Sequence, residues 1–341
     1  MAKYIDIAGN NIPIRSSNPS NPILGEIWYN TTDNALKAQG FDSIGTWTSG
    51  NAASTNRQQA ADFGVSRDAL VFAGGFTPAS PSRVNSTEVY NGSTFSAGGN
   101  LNSVVGGSGG AGTATAGLSC GGSQSSPGST GATAQTEEWD GSAWSTVNNM
   151  NTAQPYRPAT GTQTSTIAAG GAINYSPPST HTASEQYDGT TWTSTPSLST
   201  GRYAENVGTG ASALAIAGQD TGSECTNVVE SWDNSSWTSS PATNANHGGH
   251  GKTGTSATAA LVWAGGNSDP LAGNKELTTE SWDGTSWTSL ASQANIPTWV
   301  AFPQSTGTSS SAISCGGNTP PYTNITQLFD QGPETQTITS S

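Results

Sequence analysis

Apolar residues in this chain come in short runs that stop at glycine. Ala69–Ala73 and Leu261–Ala264 are two such runs, and each leads into a Gly pair. The pairs recur as Gly74-Gly75, Gly121-Gly122, Gly170-Gly171, Gly218-Gln219, Gly265-Gly266 and Gly316-Gly317. Their spacing stays near about 48 residues, which marks a repeat architecture. A second pattern keeps the same beat. It reads Glu88-Val-Tyr-Asn-Gly-Ser-Thr-Phe95, then Glu137-Glu-Trp-Asp-Gly-Ser-Ala-Trp144 and Glu185-Gln-Tyr-Asp-Gly-Thr-Thr-Trp192. Glu230-Ser-Trp-Asp-Asn-Ser-Ser-Trp237 and Glu280-Ser-Trp-Asp-Gly-Thr-Ser-Trp287 follow, and a sixth copy starts at Gln327-Leu-Phe-Asp330 and stops.

Each repeat reads as four strands. Strand a is mixed and small, as in Arg202-Tyr203-Ala-Glu-Asn-Val. Strand b is the apolar run, strand c carries the Glu and its aromatic, and strand d starts at the second aromatic. Asp-Gly between c and d is a strong hairpin signal and predicts a type I′ turn. Four strands at this period predict an all-β, six-bladed β-propeller of four-stranded blades. The last repeat lacks strand d, while Gly45-Thr-Trp47-Thr-Ser matches one near the other end. The N-terminal strand is therefore expected to close the last blade beside Phe329, removing two raw sheet edges. This gives an N-terminal segment over 1–43, the repeat domain over 44–331 and a C-terminal tail over 332–341.

The Gly pair, the Glu-x-aromatic-Asp and the following Trp resemble the kelch motif. Arg57, Arg157 and Arg202 fall near the d-to-a junction, where kelch repeats often carry Arg. Asn102, His247 and Trp299 stand at the other three junctions, Gln219 replaces one Gly and Phe95 one Trp. The resemblance implies a kelch-like propeller with blades that are not interchangeable. The first 43 residues break the repeat. Gly25-Glu-Ile-Trp28-Tyr29-Asn-Thr-Thr, then Lys37 and Gly45-Thr-Trp47, resemble a short module of tail fibres and other virion proteins of marine tailed bacteriophages. That likeness implies attachment to other virion proteins through Trp28 and Tyr29, and a virion location after assembly in host cytoplasm.

Composition sharpens this picture. Charged residues are 10% of the chain and the net charge is −13. With only 10 Lys and Arg, neither nucleic acid nor an anionic membrane surface is an expected partner, because phosphates call for clustered cations. No apolar run is long enough to insert in a membrane, and no export signal is read at the N-terminus. Apolar residues are only 32%, yet 11 Trp recur at fixed spacing, enough to build a thin β core. Cys120 and Cys315 share one repeat position and, with Cys225, make an odd set that gives no disulfide framework.

Candidate chemistry is sparse. The Glu recurs five times, whereas a glycosidase site needs one singular carboxylate pair, so these Glu are expected to be half-buried between blades and to accept backbone N–H groups. His247-Gly-Gly-His250 lacks a third ligand for zinc. Gly106–Gly112 lacks the Lys-Ser/Thr of a phosphate loop. No cofactor, metal or catalytic set is expected. Recognition is expected on the face that collects the d–a junctions and the unequal b–c loops, Phe76–Asn85, Ser123–Ala134, Ala172–Thr182, Asp220–Asn227, Asn267–Leu277 and Asn318–Asn324. That face gathers Tyr156, Arg157, Tyr175, His181, Arg202, Tyr203, Trp299 and Tyr322, the residue types that anchor binding surfaces and stack on sugars; the alternative reading is that several of them cap the core of the propeller. The expected function is a bacteriophage virion structural protein, a tail fibre or similar appendage, whose propeller serves host attachment by binding a cell-surface glycan or a neighbouring virion protein. The alternative is a polysaccharide-degrading propeller enzyme.

Overall fold

The computed structural model describes residues 12–19, 26–41, 45–78, 82–125, 131–175, 178–222, 224–266, 275–331 and 333–338. They belong to two units, one of Met1–Gly45 with Gln331–Ser341 and one of Thr46–Asp330. The fold is all-β, and Thr46–Asp330 has a propeller-like architecture of six four-stranded antiparallel sheets.

Within each sheet the strands lie in the order a-b-c-d. The a strands are Ala61–Phe63, Gly109–Thr113, Ala159–Thr162, Tyr203–Thr209, Gly251–Ser256 and Gln304–Thr308. The a strands of consecutive repeats lie side by side, and that of repeat 6 also lies beside that of repeat 1. Strand b is the most buried element, as in Ser212–Gln219 and Ala259–Trp263. Its apolar side chains pack on both faces, because each sheet is covered by a neighbour on either side. After strand b the chain must turn sharply beside the incoming junction. At Gly75, whose φ is positive, a Cβ would sit 2.9 Å from the Gln58 carbonyl, so glycine is required there.

Sheet 6 takes its fourth strand from the far end of the sequence. Thr46–Gly50 pairs antiparallel with Thr326–Asp330, Trp47 opposite Phe329. Trp47 is buried and meets Phe329 at 5.3 Å and Trp263 at 5.1 Å between ring centroids. The c–d turns differ from the expected type I′. They hold one residue of positive φ each, Gly92, Gly141, Gly189, Asn234 or Gly284, where type I′ needs two. The Asp before it supplies a side-chain acceptor instead: Asp140 Oδ1 accepts the N–H groups of Ser142 and Ala143, both at 2.8 Å.

In four repeats the second aromatic ties sheets together through its indole N–H. Trp144 Nε1 donates to Thr87 Oγ1 at 2.9 Å, Trp192 to Thr136 at 3.0 Å, Trp237 to Ser184 at 3.3 Å and Trp47 to Thr279 at 3.1 Å. In each case the acceptor precedes the recurrent Glu of the preceding sheet. Val229 holds that place in repeat 4, and Trp287 turns its N–H to the Pro241 carbonyl. Phe95 has no N–H to offer, and Thr326 bonds Cys315 Sγ instead.

The other unit holds a mixed sheet. Ile14–Arg15 runs parallel to Ile27–Asn30, which pairs antiparallel with Ala35–Phe41. Residues 332–341, read as a tail from the sequence, include a strand here: Pro333–Ile338 pairs with Ala35–Phe41. Residues 42–44, at the expected domain boundary, lie outside the described residues.

Trp47→Ala should lower the unfolding free energy by about 3–5 kcal/mol, the usual cost of emptying a buried aromatic site. Urea denaturation followed by tryptophan fluorescence and circular dichroism measures it.

Candidate functional site

The recurrent Glu is a structural clamp. Glu88, Glu137, Glu185, Glu230 and Glu280 are buried. Each accepts a backbone N–H from the d-to-a junction that enters its own sheet: Ser54 at 2.7 Å, Asn102 at 2.9 Å, Asn151 at 2.8 Å, Ser199 at 2.8 Å and Asn244 at 2.7 Å. In repeat 6, Gln327 Oε1 takes the Thr298 N–H at 2.9 Å. A junction crossing a covered sheet end would otherwise bury unpaired donors, at a cost of about 1–3 kcal/mol each.

A cation beside the clamp neutralises the carboxylate in several repeats. Arg57 reaches Glu88 at 2.9 Å, Arg202 reaches Glu230 at 2.6 Å, and Arg157 lies 3.4 Å from Glu185. His247 occupies the corresponding place in repeat 5, with Nε2 hydrogen-bonded to Glu280 at 3.1 Å and Nδ1 3.0 Å from the Ala264 carbonyl. Burial alone would raise the Glu230 carboxyl, but the Arg202 bond and the Ser199 N–H together hold it below its ordinary value. These guanidiniums also bond strand-end carbonyls, Arg57 to Gly74 and Ser86, and Arg202 to Ala215 and Ala217. Arg157 and Arg202, expected on a binding surface, are therefore enclosed and engaged.

The expected aromatic residues do converge, but inward. Tyr156, Tyr203 and Trp299 are buried with Phe76 and Phe302 in one cluster, with Tyr322 packed half-buried against it. Rings follow one another from Phe76 to Tyr156 (6.0 Å), to Tyr203 (5.9 Å), to Phe302 (5.8 Å). Tyr156 and Phe302 hold positive φ of 53° and 56°, a costly conformation for a bulky residue. Glycines make room for them: a Cβ on Gly107 would sit 2.5 Å from the Tyr156 ring, and one on Gly249 2.6 Å from the Phe302 ring. Lys275 Nζ lies 4.7 Å over the Trp299 ring, covering a face that a sugar would need. His181 is half-buried, burial lowers the pKa of its imidazole, and its backbone N–H donates to the Gly171 carbonyl. Tyr175 ends a strand, Ala172–Tyr175, paired with Pro178–Thr180. Of the variable loops, residues 79–81, 126–130, 176–177, 223 and 267–274 lie outside the described residues.

Trp28 is fully buried within its own unit, and its Nε1 donates to Asn18 Oδ1 at 3.3 Å. Tyr29 is half-buried and its hydroxyl bonds Asn34 Oδ1. Trp28 thus packs its own sheet, and Tyr29 is the more accessible member of the expected attachment pair.

No family model and no curated protein matches the chain. The repeats and the side-chain geometry carry the functional argument.

Sequence reading missed the space along the a strands. A cavity of about 130 Å³ is lined by one a strand from every sheet. Its wall includes the Gly of a Gly-Thr step that recurs in sequence as Gly112-Thr113, Gly161-Thr162, Gly208-Thr209, Gly254-Thr255 and Gly307-Thr308, with Gly64-Val65 in repeat 1. This third in-phase motif was the available signal. At one end Lys252 Nζ lies 2.8 Å from Asp62 Oδ2 and 3.6 Å from Glu205 Oε2, joining repeats 5, 1 and 4. The Ser305 N–H from repeat 6 also donates to Asp62 Oδ2 at 2.8 Å. A smaller cavity of about 40 Å³ shares Asp62 and Lys252 and adds Glu205, Tyr156, Tyr203 and Phe302. Burial works against the Lys252 charge, but Asp62 and Glu205 outweigh it and raise the ammonium pKa. Burial pushes the Glu205 carboxyl up to about 7 against the pull of Lys252. Lys252 bonded to both carboxylates makes a structural tie.

Arg202→Ala should cost about 3–5 kcal/mol by leaving Glu230 as an unpaired buried charge. The double variant Arg202→Met with Glu230→Leu should recover part of that loss, again read by urea denaturation. Glu205 gives a pH test. Its folded pKa, about 7, exceeds its ordinary 4.5, so between these values the folded state holds the extra proton. Its contribution is most favourable below 4.5 and falls as pH rises through 7. Glu205→Gln should flatten that slope in unfolding free energies measured from pH 5 to 8.

Proposed function

We propose that this chain is a structural protein of a tailed-bacteriophage virion, a fibre or similar appendage. In this reading Thr46–Asp330 is a closed, six-bladed, kelch-like propeller, and the unit built from both chain ends attaches it to another virion protein. The observation that carries the closure is the pairing of Thr46–Gly50 with Thr326–Asp330, supported by the contact between the a strands of repeats 1 and 6. The virion reading rests on the Gly25–Thr32 and Gly45–Trp47 stretches and on the low-charge composition.

The loop face fits a protein partner better than a glycan. Tyr156, Tyr203 and Trp299 are buried, so their ring faces are not offered for sugar stacking. The partner also meets an acidic or neutral surface. Arg57, Arg83, Arg157 and Arg202 are buried, and Lys252 is held between two carboxylates. Within Thr46–Asp330 this leaves Arg67 and Lys275, of which Arg67 pairs with Asp330. A neutral or basic neighbouring protein suits that balance.

Mass spectrometry of purified virions from a phage that encodes the chain tests the reading. The chain should be present among the particle proteins after stringent washing. Its absence there, with the chain abundant in the infected lysate, overturns the proposal.

A further inference from the structure

The c–d turn of repeat 1 differs from those of repeats 2 to 5 at its first residue: Asn91 stands where they carry Asp140, Asp188, Asp233 and Asp283. We propose that Asn91-Gly92 is a self-modifying site, at which the Asn91 side-chain amide is converted to a carboxylate with water as co-reactant. Asn91 is exposed. Its Oδ1 accepts the Ser93 N–H at 3.0 Å and the Thr94 N–H at 2.8 Å. Attack of the Gly92 nitrogen on Asn91 Cγ places developing negative charge on that same Oδ1. Two backbone N–H donors at this distance are the arrangement that stabilises such an oxyanion.

The remaining groups are free to react. Among the described residues, neither the Gly92 N–H nor Asn91 Nδ2 is engaged in a hydrogen bond. Glycine has no side chain to obstruct its nitrogen. The Gly92 N–Cγ bond forms, the Cγ–Nδ2 bond breaks, and ammonia leaves with the proton that Gly92 nitrogen gives up. Water then opens the five-membered imide: addition at Cγ gives Asp at position 91, and addition at the Asn91 main-chain carbonyl carbon gives its isoaspartyl isomer. The step exchanges one water for one ammonia and needs no oxidant or reductant.

The turn is already built for the product. Asp140, Asp188, Asp233 and Asp283 hold the equivalent N–H pairs on Oδ1 at 2.7–2.9 Å. Side-chain and backbone donors from Ser235 and Ser236 keep the Asp233 carboxyl at about 2, and those of Ser286 and Thr285 keep Asp283 at about 2. An ionised carboxylate is a poor electrophile, so the geometry that activates an amide leaves the acid inert. The Asp product therefore reacts no further, with the hairpin bonds retained and one negative charge added.

Incubating the full chain at mildly alkaline pH, folded and in parallel in urea, tests this by peptide mass spectrometry. Asn91 should convert ahead of every other asparagine of the described residues, at a folded-state rate equal to or above the rate in urea. Slower conversion in the folded chain, or another of these asparagines converting first, overturns the proposal. Asn91→Asp should unfold at the same urea midpoint as the parent chain, and a lowered midpoint would overturn the claim that the turn accepts the product.

Discussion

Everything in the Thr46–Asp330 unit depends on one problem: how a chain leaves the outer strand of one sheet and enters the inner strand of the next without stranding its amides. The crossing segment is covered, so its N–H groups cannot turn to water. The solution is one acceptor, placed on strand c of the sheet being entered and aimed at a backbone N–H within the junction. Six copies of that bond exist, five to a carboxylate and one to the Gln327 amide. The cations come second. Arg57, Arg157 and Arg202 compensate the buried charge of Glu88, Glu185 and Glu230, Glu137 is met by the Asn102 and Gln135 side-chain amides instead, and Gln327 carries no charge to compensate.

That hierarchy explains what could be read in advance. The four-strand repeat, the Glu as an acceptor of backbone N–H groups, and the pairing of Trp47 with Phe329 were legible because each rests on local periodicity or on a gap in a repeat. The fate of Arg157, Arg202, Tyr156 and Tyr203 was not. These residue types serve equally at a surface and as the inner cap of a curved stack of sheets. The choice between the two is made by crossings far apart in sequence, such as Gly107 clearing space for Tyr156.

The turns carry a related lesson. Asp-Gly pointed to a hairpin and there is a hairpin, but the Asp acts through its side chain while only the next residue adopts positive φ. The Gly-Thr steps were equally visible and went unused, because glycine in a small-residue strand carries no obvious role until the strand is known to be innermost. Lys252 shows the limit of sequence alone. Nothing local announces that Asp62 and Glu205, which lie on two other sheets, will flank it.

The indole bonds between sheets have one more implication. Trp287 faces a repeat whose acceptor place is taken by Val229, while Thr326 faces a repeat whose indole place is taken by Phe95. The two mismatches are complementary, since Phe95 would suit Val229 and Trp287 would suit Thr326. Repeats 1 and 5 therefore carry addresses that distinguish them from the rest. An order of repeats that satisfied both mismatches would be a different molecule, so the present order is only partly written into the individual repeats.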